Sequence, residues 1–181
     1  MISPKYLLAL ICLPSFSVGL TSATNVGLQA LIAGPVNVVS GNDPKRILDL
    51  SFSLRSSNNP VIATGLNPSP TPNQQWLFNP TGAPNTFQIQ NGVSPAVFLS
   101  YPSAPTQGSI RFAQGVIQGA ATAFVINEFN PGSPFLNITV GGFALTYWPA
   151  PNPSIQSPLT FEVPGGALTP FQNWTLVPVK L

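Results

Sequence analysis

Gln74-Gln75-Trp76-Leu77-Phe78 and Gln172-Asn173-Trp174-Thr175-Leu176 read as one short strand written twice. Ala123-Phe124-Val125-Ile126 stands between them where a third copy is due. The aromatic residues Trp76, Phe124 and Trp174 are 48 and 50 residues apart. A fixed period of that length marks a supersecondary unit repeated along the chain.

Working outward, two hairpins precede the second and third copies. Thr86-Phe87-Gln88-Ile89-Gln90 alternates apolar and polar, Asn91-Gly92 supplies a turn, and Ala96-Val97-Phe98-Leu99 returns. Leu136-Asn137-Ile138-Thr139-Val140 alternates likewise, followed by Gly141-Gly142 and Phe143-Ala144-Leu145-Thr146-Tyr147. Arg46-Ile47-Leu48-Asp49-Leu50-Ser51 occupies, one unit earlier, the place of Ala96 to Tyr101 and of Phe143 to Trp148. The 22 prolines are spread almost evenly, and each would break a helix interior. The longest proline-free stretch, Thr106 to Asn130, is interrupted by Gly108, Gly115 and Gly119. The expectation is an all-β chain of three four-stranded repeats. One such unit cannot bury its apolar face alone; three about a pseudo-threefold axis close a barrel and remove exposed edges. Trp76, Phe124 and Trp174 would then be equivalent core residues.

The first residues do not belong to that pattern. Lys5 precedes the apolar run Tyr6 to Leu13, and Thr21-Ser22-Ala23 ends the stretch with small residues. This reads as a secretory signal over 1–23, leaving a single domain over 24–181 and an extracellular location. The alternative is an uncleaved anchor, for which the apolar run is short. Cleavage would remove Cys12, the only cysteine, so no disulfide is expected and stability must come from packing.

Charged residues make up 6% of the 181 residues, against about 25% in an average soluble protein. After cleavage the bases are Lys45, Arg46, Arg55, Arg111 and Lys180, and the acids Asp43, Asp49, Glu128 and Glu162. Nucleic acid demands several cations on one face, as does an anionic membrane. Neither partner is expected. A surface of Ser, Thr, Asn and Gln suits neutral, hydrogen-bonding partners.

With the repeats in place, Gln74-Gln75-Trp76 and Gln172-Asn173-Trp174 resemble the Gln-x-Trp motif of ricin B-type lectin domains, and of secreted fungal members most closely. Ile47-Leu48-Asp49-Leu50 and Asn59-Pro60-Val61-Ile62 resemble the first repeat of that family; the middle repeat is the most worn. The resemblance covers roughly residues 26 to 181 and implies a β-trefoil. It implies that Gln74 and Gln172 bridge backbone groups between strands and that Trp76 and Trp174 fill the core. In sugar-binding repeats of the family, an Asp after the first strand and an Asn before the motif bond sugar hydroxyls, and an aromatic side chain stacks on the ring. Carried onto this chain, the first repeat has Asp49 and Asn73, with Thr64, which cannot stack, in the aromatic place. The second has Ser100 and Ala121, the third Thr146 and Phe171. At most one inherited sugar site, Asp49 with Asn73, is implied. Tyr147, Trp148 and Phe161 gather near Glu162 and read either as core or as a different aromatic site.

The expected function is therefore a secreted, non-catalytic, lectin-like protein that binds carbohydrate or glycoprotein glycans. The chain has no histidine, which removes the usual general base and the commonest zinc ligand. No enzyme activity, metal or cofactor is expected. Two other classes remain open. One is a β-trefoil protease inhibitor acting through the proline-rich loops Asn67 to Asn73 or Ala150 to Pro158. The other is a structural extracellular protein without a specific ligand. Asn137-Ile138-Thr139 and Asn173-Trp174-Thr175 are candidate N-glycosylation sites.

Overall fold

The computed structural model describes residues 33–69, 71–101, 112–150, 152 and 156–179. The expected leader over 1–23, with Cys12, lies outside them, as does most of the loop after Ala150. Among the described residues the chain forms twelve strands and four short 3-10 turns, and no α-helix. In chain order the strands are β1 (Val36–Ser40), β2 (Ile47–Leu50), β3 (Asn59–Thr64), β4 (Trp76–Pro80), β5 (Thr86–Asn91) and β6 (Val97–Ser100), then β7 (Gln114–Ile117), β8 (Ala123–Glu128), β9 (Leu136–Val140), β10 (Phe143–Tyr147), β11 (Ser157–Glu162) and β12 (Trp174–Pro178).

Six strands close on themselves. β1 pairs with β4, β4 with β5, β5 with β8, β8 with β9, β9 with β12 and β12 with β1, all antiparallel. A closed ring leaves no edge to aggregate. The other six strands form the hairpins β2–β3, β6–β7 and β10–β11. Their second strands meet in a smaller ring, where β3 pairs with β7, β11 with β3, and Phe112 just before β7 bridges to Thr160 of β11.

The pairing register makes positions in the three hairpins comparable. Leu48 faces Ala63, Leu99 faces Gly115, and Leu145 faces Phe161. One residue further, Asp49 faces Ile62, Ser100 faces Gln114, and Thr146 faces Thr160. Trp76, Phe124 and Trp174 begin or lie near the start of β4, β8 and β12 and have no exposed surface. Each contributes a few kcal/mol of burial.

Size is traded among equivalent positions. Phe161 fills the interior, stacked on Phe124 with centroids 5.6 Å apart and edge-on to Tyr101 at 5.1 Å. Its counterparts are Ala63 and Gly115. A Cβ on Gly115 would lie 2.7 Å from Val97 Cγ1 and 2.8 Å from Leu50 Cδ1, so one large and two small residues share the space.

The Asn91-Gly92 turn departs from the tight hairpin expected of it. β5 runs through Asn91, and a wider connection leads to Val97. The reason is that the Asn91 side chain is fully buried and occupied. Its Nδ2 donates to the carbonyls of Asn73 (3.0 Å) and Gln75 (3.2 Å), and its Oδ1 accepts from Val93 N–H (3.2 Å). Gly92 then passes so close to Pro72 that a Cβ would sit 2.8 Å from its carbonyl oxygen.

Candidate functional site

The site predicted from sequence is built on the end of β2 and the 3-10 turn Pro72–Gln74. That turn starts on a proline, whose fixed φ and missing donor suit a first helical position. It is held from behind by the Asn91 amide and by Asn37, whose Nδ2 donates to the Gln74 carbonyl at 2.7 Å. The side chains of Asn73 and Gln74 thereby converge on one carboxylate. Asn73 Nδ2 donates to Asp49 Oδ1 at 2.8 Å, and Gln74 Nε2 donates to Asp49 Oδ2 at 2.7 Å.

Gln74 also ties a loop together. Its Nε2 donates to the Gly65 carbonyl at 2.9 Å, and its Oε1 accepts from Asn67 N–H at 2.9 Å. Gln172 repeats the arrangement, donating to the Val163 carbonyl at 3.2 Å and accepting from Gly165 N–H at 3.0 Å. The motif tryptophans match as well: Trp76 Nε1 donates to the Leu48 carbonyl at 3.1 Å, and Trp174 Nε1 to the Leu145 carbonyl at 3.0 Å.

The units differ in what the glutamine meets. In the third, Gln172 Nε2 donates to the Thr146 hydroxyl at 3.2 Å. In the second, the Ser100 and Thr122 hydroxyls bond each other at 3.0 Å, and Thr122 also accepts from Tyr101 N–H at 3.1 Å. Thr122 thus stands in the glutamine's place, a substitution that shares no letter with the motif and was not legible beforehand. Only the first unit puts a carboxyl there. Among the described residues no Lys or Arg pairs with Asp49; the neighbouring Arg46 pairs with Asp43, at 3.7 Å. Asp49 is 5% exposed, and burial raises its pKa above the ordinary range, opposed by the bonds from Gln74 and Asn73.

A carboxylate offers about four acceptor directions, of which two are filled here. Thr64, in the aromatic place of the resemblance, is half-buried on β3 and provides no ring. An aromatic missed in the sequence lies nearby. Phe52 sits in the 3-10 turn Ser51–Ser53 directly after β2, and this turn packs against Pro72–Gln74. Phe52 is 78% exposed and holds φ 53°, ψ 17°, the left-handed region that costs a side chain about 1–2 kcal/mol. Asn59 Nδ2 clamps that loop by donating to the carbonyls of Ser51 (2.8 Å) and Leu54 (3.1 Å). A residue forced into left-handed backbone without glycine leaves no signature in a single sequence.

The two sequon asparagines are half-buried. Asn137 lies on β9 opposite Asn127, and Asn173 immediately precedes β12; the Oδ1 atom of each is covered.

No family model and no curated protein matches the sequence. Solved structures do match in shape. A ricin B-like lectin of Macrolepiota procera, solved in complex with lactose, superposes with a TM-score of 0.61 at 17% identity, covering 79% of this chain and 94% of that one. The Rhizoctonia solani agglutinin gives 0.63 at 18% identity, covering 80% and 94%. A designed 3-fold symmetric protein, ThreeFoil, gives 0.64 at 18% identity, covering 81% and 99%. A motif glutamine tied to its loop, a motif tryptophan bonded to the first hairpin strand and an all-β closed barrel agree with that likeness: the chain has the ricin B-type fold.

Proposed function

We propose that this chain is a secreted, non-catalytic carbohydrate-binding protein built as a β-trefoil, with its inherited sugar site at Asp49 and Asn73 of the first repeat. The trefoil reading is supported by strand pairings that recur three times and by the likeness to a 3-fold symmetric design. The carbohydrate reading is supported by the lectins among the similar structures, one of them a lactose complex.

One observation carries the assignment of the site. The same position is filled by Ser100 and Thr146 in the other two units, where a hydroxyl satisfies its partner. The fold therefore needs no charge there. Burying a carboxylate without a cation is costly, so Asp49 carries a group in excess of structural need. Its remaining acceptor directions suit sugar hydroxyls, because a charged acceptor makes strong, directional bonds. Phe52 takes the stacking role that Thr64 cannot fill.

Cleavage of residues 1–23, export, and glycosylation at Asn137 or Asn173 complete the proposal. The intact mass of the secreted chain tests them together. A broad glycan array probed at high protein concentration tests the function: saturable binding to a neutral sugar supports it, and a flat array sinks it.

A further inference from the structure

The aromatics noted around Glu162 belong to the body of the fold. Tyr147 and Phe161 are buried, and Trp148 Nε1 donates to the Thr160 hydroxyl at 2.7 Å. The proline-rich loops carry more. The loop from Ala150 to Pro158 lies largely outside the described residues. The loop from Asn67 to Asn73 is described apart from Pro70, and β3 enters it through Gly65 and Leu66.

Gln74 holds the entrance of this loop on both sides of one residue. Its Nε2 donates to the Gly65 carbonyl and its Oε1 accepts from the Asn67 N–H, both at 2.9 Å. Gln74 is buried and is itself fixed by Asp49. Leu66 stands between the two bonds and is 61% exposed. A further bond crosses the loop, from Asn67 Nδ2 to the Thr71 hydroxyl at 2.6 Å. The third unit differs at this place. There Gln172 holds Val163 and Gly165, so the residue between its bonds is Pro164, and the chain turns through Gly165 and Gly166 at φ 105° and 60°. From Gly65 to Asn67 the backbone makes no turn or bend and stays out of the left-handed region. The first unit thus presents an open segment with an apolar side chain where the third unit turns back.

We infer that residues 65–68 form a protease-inhibitory loop, in which Leu66 enters the apolar specificity pocket of a serine endopeptidase. The stretch 65–73 carries no charged residue, so a pocket that demands a basic or acidic side chain is not its target. The enzyme's serine hydroxyl attacks the Leu66 carbonyl carbon and forms an ester. The Leu66–Asn67 bond breaks, and the serine proton passes through the enzyme's base to the Asn67 nitrogen. In an ordinary substrate the new amine departs. Here its nitrogen is held by Gln74 and its side chain by Thr71. The amine therefore stays beside the ester at high effective concentration, re-forms the amide, and returns the proton to the serine oxygen. Pro68 and Pro72 restrict the loop before it binds, which lowers the entropy lost on association. This activity goes beyond sugar binding and does not depend on it.

The full secreted protein is assayed with chromogenic peptide substrates against chymotrypsin and subtilisin, which accept apolar residues, and against trypsin, which requires a basic one. Competitive inhibition of at least one of the first two, at or below about 10 µM, is expected, with trypsin unaffected. Leu66→Ala weakens it about 100-fold. Leu66→Lys transfers inhibition to trypsin, a gain that a merely structural role does not give. Leu66 faces solvent, so both variants keep the wild-type fold. Mass spectrometry after long incubation shows slow cleavage after Leu66, and Asn67→Ala speeds it.

No inhibition of chymotrypsin or subtilisin at about 100 µM overturns the proposal. Inhibition that both Leu66 variants leave unchanged overturns it too, because the activity then lies on another loop. Rapid cleavage after Leu66 without inhibition makes the segment a substrate, and again the proposal falls. Cleavage no faster in Asn67→Ala removes the anchored amine and the mechanism with it.

Discussion

Gln172 donates from Nε2 to the Thr146 hydroxyl at 3.2 Å, in the place where Gln74 donates to the Asp49 carboxylate at 2.7 Å. The two units thus solve one structural problem with two chemistries, one neutral and one ionisable. The difference isolates what the carboxylate adds beyond holding the fold.

It adds a pH dependence of known sign. Asp49 has a folded-state pKa raised by desolvation. The folded chain therefore binds this proton more tightly than the unfolded chain, and stability rises as pH falls from neutral through the raised pKa toward the unfolded value. Urea midpoints at about pH 7 and about pH 4.5 should show this gain in the wild type, and Asp49→Thr should remove it. An unchanged pH profile in the variant would mean that the carboxyl is solvated.

Removing either motif glutamine should cost alike. Gln74 makes three side-chain bonds, to Asp49, Gly65 and Asn67, and Gln172 makes three, to Thr146, Val163 and Gly165. Gln74→Ala and Gln172→Ala each strand buried partners and should destabilise by about 2–4 kcal/mol, read from denaturant midpoints. A loss below about 0.5 kcal/mol for either would deny that the glutamine ties its loop.

Trp76→Phe tests the equivalence of the closing strands. Phe124 shows that a phenyl ring is compatible with that place in the second unit, where it has Phe161 to stack on. Trp76 instead bonds the Leu48 carbonyl. Losing that bond and leaving a small void should cost about 2–3 kcal/mol without changing the fold. Thermal unfolding of the folded variant measures it.

Much of the architecture was legible because its signals are local. The alternation in Thr86 to Gln90 and Leu136 to Val140 shows which residues face inward, and Gly141 and Gly142 adopt the left-handed backbone a short turn requires. The inner strands were harder to read. β2 and β6 are buried at every residue, so they carry no alternation, and β7 is only four residues long with Gly115 inside it. At the site, Asp49, Asn73 and Gln74 were readable as letters of a motif. Their mutual bonds, the Thr122 substitute and the turn that brings Phe52 beside them are matters of register and backbone.

Phe52 offers a separation of stability from function. Phe52→Gly relieves the left-handed strain and should stabilise the chain by about 0.5–1 kcal/mol after the entropy of the added glycine is counted. The same change should weaken sugar binding at the first unit. Stability gained with affinity intact would remove Phe52 from the site.

The most direct measurement compares wild type with Asp49→Thr, a substitution the third unit already accommodates at Thr146. Saturation-transfer NMR against the sugar selected on the array detects affinities as weak as millimolar, about −4 kcal/mol. The expected result is a variant that unfolds within about 1 kcal/mol of wild type at neutral pH and has lost the transfer attributed to the first unit. Transfer of equal strength from both proteins would contradict the assignment of Asp49 as a sugar acceptor.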